Sequence, residues 1–350
     1  MKFFSFFSPG RYAVSMRLQV VLDFITFVLS LIFVYFGYLQ FSTTDVVPNI
    51  TFLTPKQIVE KEGPGVPVTI GLYIKGFPEF DIVKSKFTVD LVASFRFDPK
   101  KITIDQIDKF TFTNADVTSK TKSLVKIENK NIVVYYSMRV AFYAPLGYKT
   151  FPVDDHRLFF IMDNNFLTVS QVFCMSSYSD VTINPEISVE GWYLVDKGVM
   201  AGFIPSSLDT DSILYQPRIV FYFDFIRSGF RYTLILLLPL MLIFFTTLFS
   251  FSFELDPSES SATRPFDLIS VSTSGLLALV AYRFVIETFS PGVGYFLISD
   301  YVFFYFLIAL TVVLVVNALG TKISGTHKTA VVIALHIITN ISFYIFFVCI

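Results

Sequence analysis

The sequence predicts a membrane protein of two parts: an all-β, immunoglobulin-like sandwich, and a four-helix transmembrane bundle that follows it, with one further apolar helix at the N-terminus. Three observations predict this. Of the 350 residues, 53% are hydrophobic and only 16% are charged, against about 25% charged in an ordinary soluble domain. The apolar residues gather into five runs of about 20 residues, the length a helix needs to cross a bilayer. Between the first run and the other four lie 186 residues, from Phe41 to Ile226, of a different composition. There, short Val-, Ile-, Tyr- and Phe-rich runs alternate with turn residues.

Residues 1–17 carry Lys2, Arg11 and Arg17 and precede the first span, 18–40, which only Asp23 interrupts. This span reads as an uncleaved anchor rather than a signal peptide. Its apolar stretch exceeds a usual signal core, and the Gly-Tyr-Leu-Gln-Phe-Ser-Thr that follows has no small-x-small cleavage site. Residues 41–226 form the β domain, with strands expected at 67–75, 87–97, 131–143, 157–162 and 219–225; their spacing suits a sandwich better than a βαβ unit. Asn49-Ile-Thr51 is a glycosylation sequon, which matters only in a eukaryotic secretory pathway. Residues 227–350 form the helical domain, with helices at about 230–253, 265–288, 300–319 and 329–350. The runs 232–253, 301–319 and 329–350 carry no fixed charge, His336 being the one titratable exception, whereas the second helix keeps Asp267, Arg283 and Glu287.

Orientation follows from basic residues in short loops. Lys2, Arg11 and Arg17 place the N-terminus in the cytoplasm, and Lys322 and Lys328 place the 318–328 loop there too. Loop 289–300 has no basic residue and belongs outside, with the β domain and the C-terminus. This is the topology of a multi-pass protein of the cell (inner or plasma) membrane. A net charge of −1 excludes the field that nucleic-acid binding needs. Two cysteines are too few for a disulfide framework or thiolate cage, so neither a metal site nor a cofactor is expected.

The 265–288 helix is the informative one. With successive residues about 100° apart, Ser274, Leu277, Ala281, Phe284 and Asp267 all fall within about 60° of Ser270. That face is hydroxylated at one end, apolar at the other, and ends in a carboxylate. A lipid-facing stripe would not carry Asp267, Ser270 and Ser274 in a row. In a ring of such helices the hydroxyls would contact a partly dehydrated ion, Asp267 would select its sign, and Leu277 and Phe284 could close the path by dewetting. The competing reading is helix–helix packing through Ser and Thr, with Asp267 interfacial. Arg283 and Glu287 leave the stripe and stand at i, i+4, where they can pair; a structural ion pair fits Arg283 better than a permeation role.

The order of elements resembles the pentameric ligand-gated ion channels, the Cys-loop receptor superfamily, in its prokaryotic branch. The likeness runs from Pro67 to Ile350. Phe-Thr-Val-Asp-Leu-Val-Ala-Ser-Phe-Arg-Phe-Asp at 87–98 is similar to the family's second strand, with Phe97 where Trp is usual. Phe151-Pro152-Val153-Asp154-Asp155-His156 is similar to the centre of the signature loop, His156 replacing Gln. Gly191-Trp192 matches a family dipeptide, and Arg227 with Pro239 twelve residues on matches the join to the first channel helix. Residues 281–288 followed by Pro291 look like the end of the second channel helix and its loop. The naming cysteines are absent, and the last two helices are joined by a loop of about ten residues; both fit prokaryotic members. The N-terminal span has no counterpart.

The resemblance implies a homopentameric, ligand- or proton-gated channel for monovalent cations, with Asp267, Ser270, Ser274, Leu277, Ala281 and Phe284 lining the pore. It places coupling at Pro152, Asp154, Arg227 and Pro291, with Arg227 the expected partner of Asp154 and residues 291–295 facing the loop tip. It places an agonist among aromatics, here Phe173, Tyr178, Phe203 and Tyr215, with the hairpin 201–215 closing over them; a small-molecule amine would be held by cation–π attraction, and core packing is the competing role for each ring. Protons acting through Asp, Glu or His156 are the alternative stimulus. Two rival classes stand beside the channel: a receptor or scaffold of the same fold that passes no ions, and a membrane-anchored enzyme. For the enzyme no nucleophile–base pair, metal spacing or phosphate loop is present, and no catalytic residue is expected.

Overall fold

The computed structural model describes residues 16–41, 43, 45–52, 65–81, 84–128, 130–144, 146–189, 191–205, 215–228, 230–252, 264–319 and 323–349, without the side chains of residues 16, 123, 252 and 264–267. The chain divides into two compact units. One comprises residues 1–42, 148–154 and 229–350, the other 43–147 and 155–228.

The second unit is a mixed β-sheet domain. Its strands are β1 (Val66–Asp81), β2 (Lys86–Phe97), β3 (Thr111–Phe112), β4 (Ala115–Glu128), β5 (Asn131–Tyr143), β6 (His156–Asp163), β7 (Val172–Met175), β8 (Val181–Ile183), β9 (Trp192–Pro205) and β10 (Tyr215–Arg227), with a one-turn helix α2 (Ile104–Ile107) after β2. One sheet has the order β4-β5-β2-β1-β7 with β8 also on β1; the other has the order β3-β6-β10-β9. β2 alternates strictly between inward and outward residues, burying Phe87, Val89, Leu91, Ala93, Phe95 and Phe97, as a half-buried strand must. Aromatic rings join the two sheets: Phe142 of β5 stacks on Phe160 of β6 at 4.2 Å, and Phe77 of β1 meets Phe225 of β10 edge-on at 5.6 Å. Part of the Phe surplus is therefore core. The expected strand 67–75 is longer, and β4, an edge strand with Lys120, Lys122 and Lys126, was not expected at all.

The first unit holds five helices that are long and apolar enough to cross a membrane: α1 (Met16–Leu39), α3 (Arg231–Leu248), α4 (Arg264–Phe289), α5 (Ile298–Leu319) and α6 (Gly325–Val348). α3 continues as a 3₁₀ turn, Phe249–Ser252. Their bounds lie within a few residues of those expected. The apolar centre is built on Leu237, Leu240, Phe244, Leu279, Phe306, Leu310, Val313 and Phe343.

α1 packs on α6, and the two run parallel: Asp23 lies 3.2 Å from His336, Thr26 contacts both His336 and Asn340, and a Cβ on Gly37 would meet the Phe347 carbonyl at 2.6 Å. The contact is polar. Gln19, Asp23, Thr26 and Ser30 stand at i, i+4, i+7 and i+11, one stripe of an otherwise apolar helix. The Gln19 amide donates to Asp23 at 2.9 Å, the His336 Nδ1 lies 3.0 Å from the Thr26 hydroxyl with its Nε2 3.2 Å from Asp23, and the Asn340 amide donates to Thr26 at 3.1 Å.

Candidate functional site

α4 carries the stripe predicted from the sequence, and its packing shows which way that stripe faces. The buried residues are Leu268, Ser272, Gly275, Leu279 and Ile286; on a helical wheel these fall within about 40° of the point opposite Ser270. The free face holds Ser270, Ser274, Leu277, Ala281 and Phe284, with Leu277 66% and Phe284 68% exposed in the single chain. Asp267 lies in the first turn of α4, and its side chain is outside the described residues. Only 17% of this span is buried, against 56% for α3. The helix with the most hydroxyls is thus the one least covered by its own chain.

Polar contacts hold the back of α4 at three heights. Low on the helix, the Asn317 amide of α5 donates to Ser272 at 2.7 Å and to Ser250 at 2.9 Å, all three residues buried. One turn up, Gly275 admits Thr247 of α3, which comes so close that a Cβ would lie 2.1 Å from its hydroxyl oxygen. Near the other end the Tyr282 hydroxyl donates to the Ile235 carbonyl of α3 at 2.8 Å. That carbonyl is free because Pro239, four residues on, has no N–H to return to it. Arg283 pairs with Glu287 at 3.3 Å and with Asp300 of α5. Its guanidinium is thereby held on the α5 side of the helix, away from the stripe.

The candidate coupling loop, 148–154, leaves β5 and returns to β6 yet belongs to the helical unit. The Phe151–Pro152 bond in it is cis. The Thr233 hydroxyl at the start of α3 donates to the Pro152 carbonyl at 3.1 Å, and the Phe151 ring meets Tyr232 edge-on. Before and in the first turn of α5, Ile298 N–H donates to Lys149 O at 3.0 Å and Ser299 N–H to Phe151 O at 3.2 Å. Tyr148 N–H donates to the Tyr295 hydroxyl at 2.9 Å. Tyr295 is thus the member of 291–295 that takes a hydrogen bond from the loop; Pro291, which is buried, turns its carbonyl to the Val293 N–H. Asp154 is fully buried. The Arg227 guanidinium lies 4.5 Å above the Trp192 ring.

Sequence reasoning missed the residue that braces the root of this loop. Asp45, fully inside the β unit, accepts from Gly147 N–H at 2.6 Å and Arg157 N–H at 2.8 Å, and its carboxylate lies 3.4 Å from His156 Nδ1. It therefore ties together the two strand ends between which the loop departs. No local pattern around Asp45 signals this: Thr43 also donates to it, but the partners it ties together are more than a hundred residues away.

Of the four aromatics named as agonist contacts, three converge. Phe203 and Val169 form a small buried cluster against which Phe173 and Tyr215 pack. Phe203 is only 5% exposed and pairs through its backbone with Thr51, so it is packed as a core residue. Tyr178 stands apart, 62% exposed, with the Lys197 ammonium 5.1 Å over its ring. The 206–214 tip of the hairpin between β9 and β10 is outside the described residues. Among the described residues no group of three or more His, Cys, Asp or Glu is placed to hold a metal ion. Burial pushes the Cys174 thiol well above its ordinary range, so it has no nucleophilic character.

A scan against protein-family models and a search of curated proteins each found no match.

Proposed function

We propose that the chain is the subunit of a homopentameric channel of the ligand-gated type, selective for monovalent cations, in which five α4 helices line an axial pore. In this reading the two sheets form an extracellular sandwich, α3 to α6 form a four-helix bundle, and α1 is an additional span. The observation that carries it is the rotation of α4. The face bearing Ser270, Ser274, Leu277, Ala281 and Phe284 is exposed and lies opposite the residues that α4 buries against its own chain, and its hydroxyls suit an aqueous path better than lipid. Five Asp267 carboxylates at one mouth would concentrate cations and repel anions.

Two further observations support the reading. The parallel course of α1 and α6 agrees with the basic-residue assignment, which starts both helices on the cytoplasmic side. The 148–154 loop grips the first turns of α3 and α5, so a shift of its flanking strands would reach the helices on either side of α4. A difference of about 1–3 kcal/mol between two such packings is enough to shift a gating equilibrium. The agonist class is a small molecule or protons.

The test is ion flux through purified full-length protein in liposomes, with the subunit number from native mass spectrometry. Cation-selective currents from a pentamer are expected. A reversal potential that follows chloride removes the selectivity assignment; a well-folded pentamer that passes no ion under any agonist or pH leaves the non-conducting receptor; any other subunit number removes the ring.

A further inference from the structure

α4 is a helix whose rotation hydrophobicity cannot set. Its free arc includes Val271, Leu277, Val280, Phe284 and Val285, and in a bilayer such side chains gain no more from a protein neighbour than from lipid. A turn of one residue, about 100°, would replace Ser270, Ser274, Leu277, Ala281 and Phe284 on the free face with Val271, Gly275, Ala278, Tyr282 and Val285. The hydroxyls would be lost from that face. What resists the turn must be directional; at the end of the helix the Arg283–Asp300 pair contributes, and within the span two side chains supply it. Asn317 reaches across from α5 to Ser272 at the low end. Tyr282 reaches from α4 to the Ile235 carbonyl at the high end.

We propose that Tyr282 and Asn317 are positioning residues that together fix the rotation of α4 and so decide which of its side chains line the pore. The pore is the reading proposed above; the rotation stands without it. The two bonds are ten residues apart along α4, about 15 Å at 1.5 Å per residue, so the helix is held at two levels and cannot pivot about either.

Both contacts suit the task physically. The Ile235 carbonyl would otherwise be an unpaired acceptor in an apolar span, since Pro239 leaves it without its helical donor. The Tyr282 hydroxyl satisfies it at only one rotation of α4. The Asn317 amide donates to two hydroxyls at once, Ser272 of α4 and Ser250 in the turn after α3, so three elements meet at a single buried side chain. Buried amides are known to select one register among packings that apolar contacts leave nearly equal. Thr247 packed into Gly275 sets the distance between α3 and α4, and a contact of this shape defines spacing more than angle.

The experiment uses the full chain with Cys349→Ser, because that cysteine is exposed while Cys174 is buried. Single reporters Leu277→Cys on the free face and Leu279→Cys on the buried face are reacted with N-ethylmaleimide. The wild-type background should label position 277 at least tenfold faster than 279. Tyr282→Phe with Asn317→Leu should cut that ratio at least threefold, and Tyr282→Phe alone, which removes one oxygen and keeps the ring, at least twofold. The single variant carries the test if the double one does not assemble. A ratio unchanged by Tyr282→Phe in protein of undiminished subunit number, or a wild-type ratio near one, overturns the assignment. Flux is measured on the same wild-type liposomes; its absence removes the channel and leaves the labelling result standing.

Discussion

Gly275→Ala tests the seat of α4 on α3. An added Cβ would lie 2.1 Å from the Thr247 hydroxyl oxygen, 3.0 Å from its methyl carbon and 3.1 Å from its Cβ. Rotating Thr247 moves the first two atoms but not the third, and breaks the bond its hydroxyl donates to the Ile243 carbonyl at 2.7 Å. The helices must therefore separate by about 1 Å, and overpacking of this kind costs about 1–3 kcal/mol. Thr247→Ala alone removes a few buried atoms at about 1 kcal/mol. Combined with Gly275→Ala it removes the two closest contacts, so the double variant should recover about 1–2 kcal/mol relative to additive behaviour. The assay is thermal unfolding of the detergent-solubilised protein as a double-mutant cycle. Additive losses, or a Gly275→Ala protein as stable as the parent, would refute the close approach.

Three other outcomes follow from the same structure. His336→Leu should loosen α1 by about 1–2 kcal/mol, the scale of polar helix contacts in membranes, by leaving Asp23 without its ring partner; Asp23→Leu combined with it should regain stability, and a single variant as stable as the pair would contradict the polar seam. Asp267→Asn, on the channel reading, should move the reversal potential in asymmetric NaCl toward zero without changing subunit number, and an unchanged potential would take selectivity away from that residue. At acid pH the Asp90–Arg139 pair should matter. Hydrogen bonds from Arg139 hold the Asp90 carboxyl below the usual carboxylate range, so its stabilisation is full above the unfolded value of about 3.9 and is lost as pH falls through the lower folded value. Arg139 is half exposed, so solvent screening keeps the effect small. Thermal midpoints of Asp90→Asn and the parent should differ near neutrality and begin to converge only as pH falls below about 4; a gap that widens on acidification contradicts the sign.

Periodicity and composition were enough to locate the five apolar helices and the α4 stripe, because length and a 3.6-residue period are properties of the chain itself. The long inward-facing strands were legible for the same reason: β2 and β5 alternate or run apolar. β4 was not, since its outward Lys and Ser side chains break the pattern on an edge that needs no second apolar face. Gly275 is a glycine among many until Thr247 is set against it. Asp23 reads as an interruption of a span and His336 as an isolated titratable group, and only packing makes them partners across 313 positions.

The four aromatics show the opposite limit. Sequence could nominate Phe173, Tyr178, Phe203 and Tyr215, but in a chain with 43 Phe it could not separate a binding ring from a packed one; the structure separates Tyr178 from the other three and buries Phe203. By itself the sequence determined which segments are apolar, how long they are, and which face of α4 carries hydroxyls, since each depends only on neighbours along the chain. The direction that face points was decided by tertiary structure alone. It rests on Asn317 meeting Ser272 and on Tyr282 reaching the carbonyl that Pro239 sets free, while Thr247 at Gly275 sets the spacing. Such contacts are distant in sequence and directional in space, and no local period encodes them.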